Sequence, residues 1–186
     1  MTVNLIMSRT AMVNKTLPTA MWANKMSTVT LAKKMDYSQP LISKLRTGKA
    51  KLQFEQIEPL LEALPKQSGY LLIDILHQVS GGLIPSTVDS KYIFLNASSM
   101  DNRVIEEAQQ AIKAITDSLD EFGSPVSVVK DLHDPEEAFN QMFDLIKYGL
   151  MLEIVIGDYL GWDTADIQAR CLQREAYLKR HKYQIV

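Results

Sequence analysis

The chain has 186 residues and a mass of 21.0 kDa, with 46% apolar, 8% aromatic and 23% charged residues, which excludes a disordered or fibrous chain and allows one or two domains with buried cores. A single cysteine, Cys171, excludes an intrachain disulfide framework and, with only three histidines, a multi-cysteine zinc site. The formal charge of −2 divides unevenly: residues 1–70 hold 10 basic and 4 acidic side chains, net +6, and the remainder holds 10 against 18, net −8.

In chain order, residues 4–13 fit either a further helix or an extended arm, because Leu5, Ile6, Met12 and Val13 follow no one period. Residues 17–26 read as a short helix with Pro18 in its first turn and Met21, Trp22 and Met26 on its buried side. Thr28–Lys34 reads as a second helix, capped near Ser27 or Thr28 and burying Leu31 and Ala32. A turn at Asp36 and Tyr37 leads to a third, Gln39–Arg46, which Ser38 caps and Gly48 stops, with Ile42 and Leu45 inward. A fourth runs from Phe54 to Leu64, with Phe54, Ile57, Leu60 or Leu61 and Leu64 on one face; Pro59 either kinks it or divides it, and Pro65 ends it. Residues 69–79 suit a buried helix, although their period also fits a strand, and 80–99 break the pattern as a connection.

The second half returns to helices. From Asp101 to Phe122, the residues Val104, Ile105, Ala108, Ala111, Ile112, Ile115, Leu119 and Phe122 form an apolar stripe, with Glu106, Glu107, Gln110, Lys113 and Asp117 outside it. A second long helix after Pro135 carries Ala138, Phe139, Met142, Phe143, Ile146, Leu150, Ile154 and Leu160 inward. A last one, from Asp163 or Thr164 to Lys182, places Ile167, Cys171, Leu172 and Leu178 inside.

Positive charge is concentrated where the helices are shortest. Over residues 1–54 the net charge is +8, with Asp36 the one acid, so this part suits a polyanion and the acidic remainder repels it. Residues 28–48, TVTLAKKMDYSQPLISKLRTG, hold two short helices joined by a tight turn, packed through Leu31, Ala32, Tyr37, Ile42 and Leu45. The second helix of such a pair fits the roughly 12 Å major groove while the first crosses the backbone. This stretch resembles the helix-turn-helix of phage Cro and repressor proteins and related bacterial regulators, whose pattern is LAxxxGxSxxxISxxExG. The likeness covers about 50 residues, 17–66.

The resemblance implies an all-α fold, with a helix-turn-helix DNA-binding domain over residues 1–68, a helix and linker over 69–99, and an acidic helical oligomerisation or interaction domain over 100–186. It places Gln39, Pro40, Leu41 and Lys44 toward base edges, where Gln39 suits adenine, Lys44 suits guanine, and Pro40 or Leu41 offers apolar contact to a thymine methyl. It places Thr28, Ser43, Arg46, Lys49 and Lys51 at phosphates, which set register without reading sequence. Two positions depart from the pattern: Asp36 stands where the turn glycine is usual, and Arg46 where glutamate is. The arginine that commonly pairs with that glutamate is matched by Met21, so the ion pair is missing and Arg46 is free to face phosphate.

The expected partners are double-stranded DNA bearing a palindromic operator and a second copy of the chain, since one such motif makes few contacts and two half-sites raise specificity. The GGLIP turn followed by an acidic helix also looks like regulators of phages and mobile elements, which implies a repressor acting by operator occupancy. The rival reading is an antirepressor or interaction module that binds another regulator through its acidic half. No enzyme, cofactor or metal site is expected: His77 near Asp74 reads as a satisfied helix histidine, DLHDPEE around His133 as a solvated cap, and Cys171 as a core residue. No apolar run has the length of a membrane span and MTVNLIMSRTAMVNK lacks the features of a leader, so a cytoplasmic place is expected.

Overall fold

A computed structural model describes residues 8–86 and 97–181 of the chain. It is predominantly helical. The expectation of helix alone is corrected in one respect, because Thr10–Ala11 (β1) pairs antiparallel with Leu52–Gln53 (β2), in the register Thr10 to Gln53 and Ala11 to Leu52. Residues 8–13 therefore form no helix; the rest of the reading over residues 1–7 lies outside the described residues.

Five helices share the N-terminal core: Leu17–Ala23 (α1), Thr28–Lys34 (α2), Gln39–Thr47 (α3), Ile57–Ala63 (α4) and Ser68–Val79 (α5). Leu17, Leu31, Ile42, Leu45, Leu60 and Leu71 are fully buried within it. Pro18 occupies the first turn of α1, where its missing N–H has no helical partner to lose. Pro59 divides the fourth segment: Phe54–Gln56 is a 3-10 turn, and Pro59 falls in the first turn of α4. Trp22 and Phe54 were both expected inside and are exposed, Trp22 by 80%. The α1 turn closes directly after Ala23, and the indole projects from it. Leu71, Ile75 and Val79 place α5 in this core, and Gln78 fastens it to the first strand's chain by accepting from Met12 N–H (2.8 Å) and donating to Met12 C=O (2.7 Å).

The C-terminal helices are Ala97–Asp117 (α6), Leu119–Phe122 (α7), His133–Leu160 (α8) and Thr164–His181 (α9). α6 and α8 run antiparallel: Met100 packs on Met151 and Val155, and Arg103 lies 4.8 Å from the Tyr148 ring centre, while Asp117 at the other end of α6 lies near Asp134. Several side chains sit elsewhere than their period suggests. Ile105, Ile112, Leu119 and Phe122 of the first stripe are exposed, and so are Phe139, Ile146 and Leu160 of the second. Glu107, expected outside, is 1% exposed. The buried row is Met100, Glu107, Ala111 and Ala114 of α6, continued by Ser118 just after it; the small Ala111, Ala114 and Ser118 let α8 approach closely at that end. Cys171 and Leu172 are exposed rather than core, since α9 buries none of its residues.

The two halves meet where α8 ends. Gly161 stops α8 in the left-handed region, and the following Thr164 donates both its backbone N–H (3.2 Å) and its hydroxyl (2.7 Å) to Pro65 C=O, while its hydroxyl also bonds Ser68. Gly69 lies against Ile154, where any side chain on the glycine would meet Ile154 Cγ1 at 2.9 Å.

Candidate nucleic-acid interface

The α2 and α3 pair is fixed by its ends. Ser27 caps α2 by accepting from Thr30 N–H at 3.1 Å. At the other end Asp36 takes φ 52°, which lets Tyr37 N–H reach back to Ala32 C=O at 2.8 Å. That bond closes the helix and turns the chain, the task of the glycine usual at this position, and aspartate tolerates it because its short side chain suits the left-handed region. Ser38 holds the N-cap position of α3 with extended backbone, but its hydroxyl makes no capping bond; its carbonyl instead starts the helix by accepting from Leu41 and Ile42. Gly48 ends α3 at φ 75°, and Lys49 N–H closes onto Lys44 C=O at 2.8 Å.

These ends determine what α3 presents. Ile42 and Leu45 point into the core, Leu41 and Ser43 are half-buried, and Gln39, Pro40, Lys44 and Arg46 face solvent. Leu31 and Ala32 of α2 are buried opposite them, Thr28 is half-buried at the start of α2, and Lys33 and Lys34 are exposed at its end. Tyr37 packs partly on the core, and burial with Glu55 nearby pushes its hydroxyl above the ordinary tyrosine value. Lys49 and Lys51 are exposed in the segment that runs from the end of α3 into β2.

A further exposed basic residue, Arg9, has its backbone held near this segment by the strand pair. β1 and β2 pair across more than 40 residues, and Phe54 N–H donates to Arg9 C=O at 3.0 Å, so the exposed Arg9 lies beside the chain that carries Lys51. Two-residue strands leave no alternation to read, so only the high local charge hinted at a role for Arg9. The packing is close here: a Cβ on Gly48 would meet Asn14 Cγ at 3.1 Å and Met12 Cε at 3.2 Å, which holds the N-terminal chain against the end of α3.

The other residues singled out from the sequence are accounted for locally. His77 does not pair with Asp74; its Nδ1–H donates to Ile84 C=O at 2.7 Å. Asp74 instead accepts from the Thr16 hydroxyl (3.2 Å) and the Gln78 amide (3.4 Å), and burial raises its pKa above the usual carboxylate value. Asp131 accepts from His133 N–H at 3.0 Å, a turn at the start of α8. Cys171 donates weakly to Glu153 at 3.6 Å, and burial and that carboxylate raise its pKa. Among the described residues no group of three His, Cys, Asp or Glu is placed to hold a metal, and no helix is long and apolar enough to cross a membrane. No family model, curated protein or solved structure matches the chain.

Proposed function

We propose that the chain is a sequence-specific DNA-binding transcriptional regulator, a repressor that occupies its operator as a dimer, with α2 and α3 as its helix-turn-helix. The observation that carries this reading is the outer edge of α3, where Gln39, Pro40 and Lys44 stand in solvent while Ile42 and Leu45 anchor the helix from behind. An α-helix fits the major groove, and amide and ammonium groups are donors that discriminate adenine and guanine there. Arg46 near its end and Lys49 and Lys51 just beyond it are exposed and offer basic groups to phosphates. The acidic C-terminal half, net −8 beyond residue 70, is repelled by DNA, which favours approach by the N-terminal face.

Selection of bound fragments from random duplex DNA by the full chain, followed by anisotropy titration of the recovered sequence against a scrambled one, tests the reading. A recovered palindrome bound far more tightly than the scramble, with affinity falling steeply with salt, is the expected result. Indifference to DNA at low ionic strength sinks it, and a stable complex with another regulator in its place establishes the antirepressor reading.

A further inference from the structure

The α6–α8 hairpin leaves one side uncovered, and its pattern is regular. From the middle of α6 onward the residues that face α8 are followed by apolar ones: Glu107 by Ala108, Ala111 by Ile112, Ala114 by Ile115, and, just past the end of α6, Ser118 by Leu119 of α7. On α8 Phe139 follows Ala138 and Met142 follows Gln141 in the same way. One residue is about 100° of helical turn, so both rows are rotated from the shared seam by the same angle and in the same sense. Because the two helices run antiparallel, equal rotation brings both rows to the same side of the hairpin. The outer row, from Ile105 on α6 to Phe122 on α7, advances in steps of three and four, the spacing of a helix-packing seam. Ser118 does not break it, since Phe122 N–H still bonds Ser118 C=O at 3.0 Å.

We infer that this face is where a second copy of the chain docks, hairpin on hairpin, to form a four-helix bundle about a twofold axis. Ile112 is 65% exposed and Phe139 67%, and with Ile105, Leu119, Phe122 and Ile146 they present about 700 Å² of apolar surface, more than a monomer usually leaves in one patch. Two such faces offer each other up to about 1,400 Å², which reaches the lower part of the range of stable specific interfaces. Neither row carries a charge between Ile105 and Phe122 or between Phe139 and Ile146 at the positions that follow the seam, so a strongly charged partner finds nothing to match. A neutral face also lets two halves of net −8 meet, their charges lying on the hairpin's other flanks. α9 covers the far end of this side, with Ile167 on Gly157 and Cys171 on Glu153. No other described element covers the remainder, and a twofold partner fills it by the same surface it offers.

Sedimentation velocity of the full chain at micromolar concentration tests the inference. The expected mass is twice 21.0 kDa for the parent chain and for Gln110→Lys, which puts a charge on a different flank of α6. Ile112→Glu with Phe139→Glu is expected to sediment as a single chain with unchanged helical circular dichroism. Ile112→Ala, which favours the helix, is expected to weaken the dimer at least tenfold and serves where the charged variant loses structure. A parent chain that stays monomeric, or a dimer whose dissociation constant ignores Ile112→Ala, overturns the inference. The DNA reading is judged separately: a dimer indifferent to DNA removes that reading alone, and a monomer that binds its operator removes this inference and dimeric occupancy while DNA recognition by α3 stands.

Discussion

Arg103 and Glu107 stand one turn apart on α6, the guanidinium half-exposed and the carboxylate sealed against α8, with 2.5 Å between Nη2 and Oε1. A charge has been taken out of water inside a helix seam, and the arginine, which also lies over the Tyr148 ring, is the cation that compensates it. Arg103→Met strands that carboxylate, and stability is expected to fall by about 3 kcal/mol. Replacing both residues by methionine removes the buried charge as well, so the double variant is expected to recover most of the loss. Urea unfolding of the two variants is the check, and a double variant no more stable than the single contradicts the account.

Asp74 imposes a pH dependence on the N-terminal core. Burial raises its pKa, against the opposing pull of the Thr16 and Gln78 hydrogen bonds and of Lys15 and His77 nearby. A carboxyl whose folded pKa lies above its unfolded value favours the folded state while protonated, and that contribution is lost as pH rises through the folded value. Asp74→Asn keeps the hydrogen-bonding shape without the charge. Its midpoint of thermal unfolding is expected to exceed the parent's at pH 7 and to converge with it in the acid range below the ordinary aspartate pKa of about 3.9. A variant less stable than the parent at pH 7 shows that the hydrogen bonds to the ionised form outweigh its burial.

Trp22 offers a simpler test, because its 80% exposure leaves the indole in water. Trp22→Ala is expected to change stability by no more than about 0.5 kcal/mol, the ordinary range for a surface position. A loss of several kcal/mol means that the indole is packed after all.

The contrast between Trp22 and Gly48 shows what the sequence made legible. Helix ends are set by local chemistry, so Ser27, Pro18, Asp36 and Gly48 located α1, α2 and α3 closely, and the outward edge of α3 follows from knowing that Ile42 and Leu45 face inward. Which side of a helix meets a neighbour is decided by the neighbour. The stripe from Val104 to Phe122 is wider than one contact face, and period alone does not say that Ala111, Ala114 and Ser118 are the side on which α8 can come close. Glu107 reads as outward from period alone for the same reason: its cation, Arg103, is visible at four residues' distance, but its burial depends on α8. Arg9 and the β1–β2 pair were beyond reach because their partners lie more than 40 residues away and each strand is two residues long.

Lys44 and Lys49 separate reading from holding. Both are exposed, but Lys44 projects from the outer edge of α3 whereas Lys49 follows the glycine that ends it, beyond the helix that would lie in the groove. A donor that reaches guanine loses its value when that base is changed, and a donor to phosphate does not. Lys44→Ala is therefore expected to cost about 1–3 kcal/mol on the selected operator, and much less on an operator altered at the one base pair it reads. Lys49→Ala is expected to weaken every duplex by a similar factor and to reduce the slope of log affinity against log salt by about 1. Anisotropy titrations of both variants at several salt concentrations make the comparison. If Lys44→Ala loses equally on selected and scrambled DNA, its ammonium holds the backbone, and specificity has to come from Gln39 and the apolar contacts of Pro40 and Leu41.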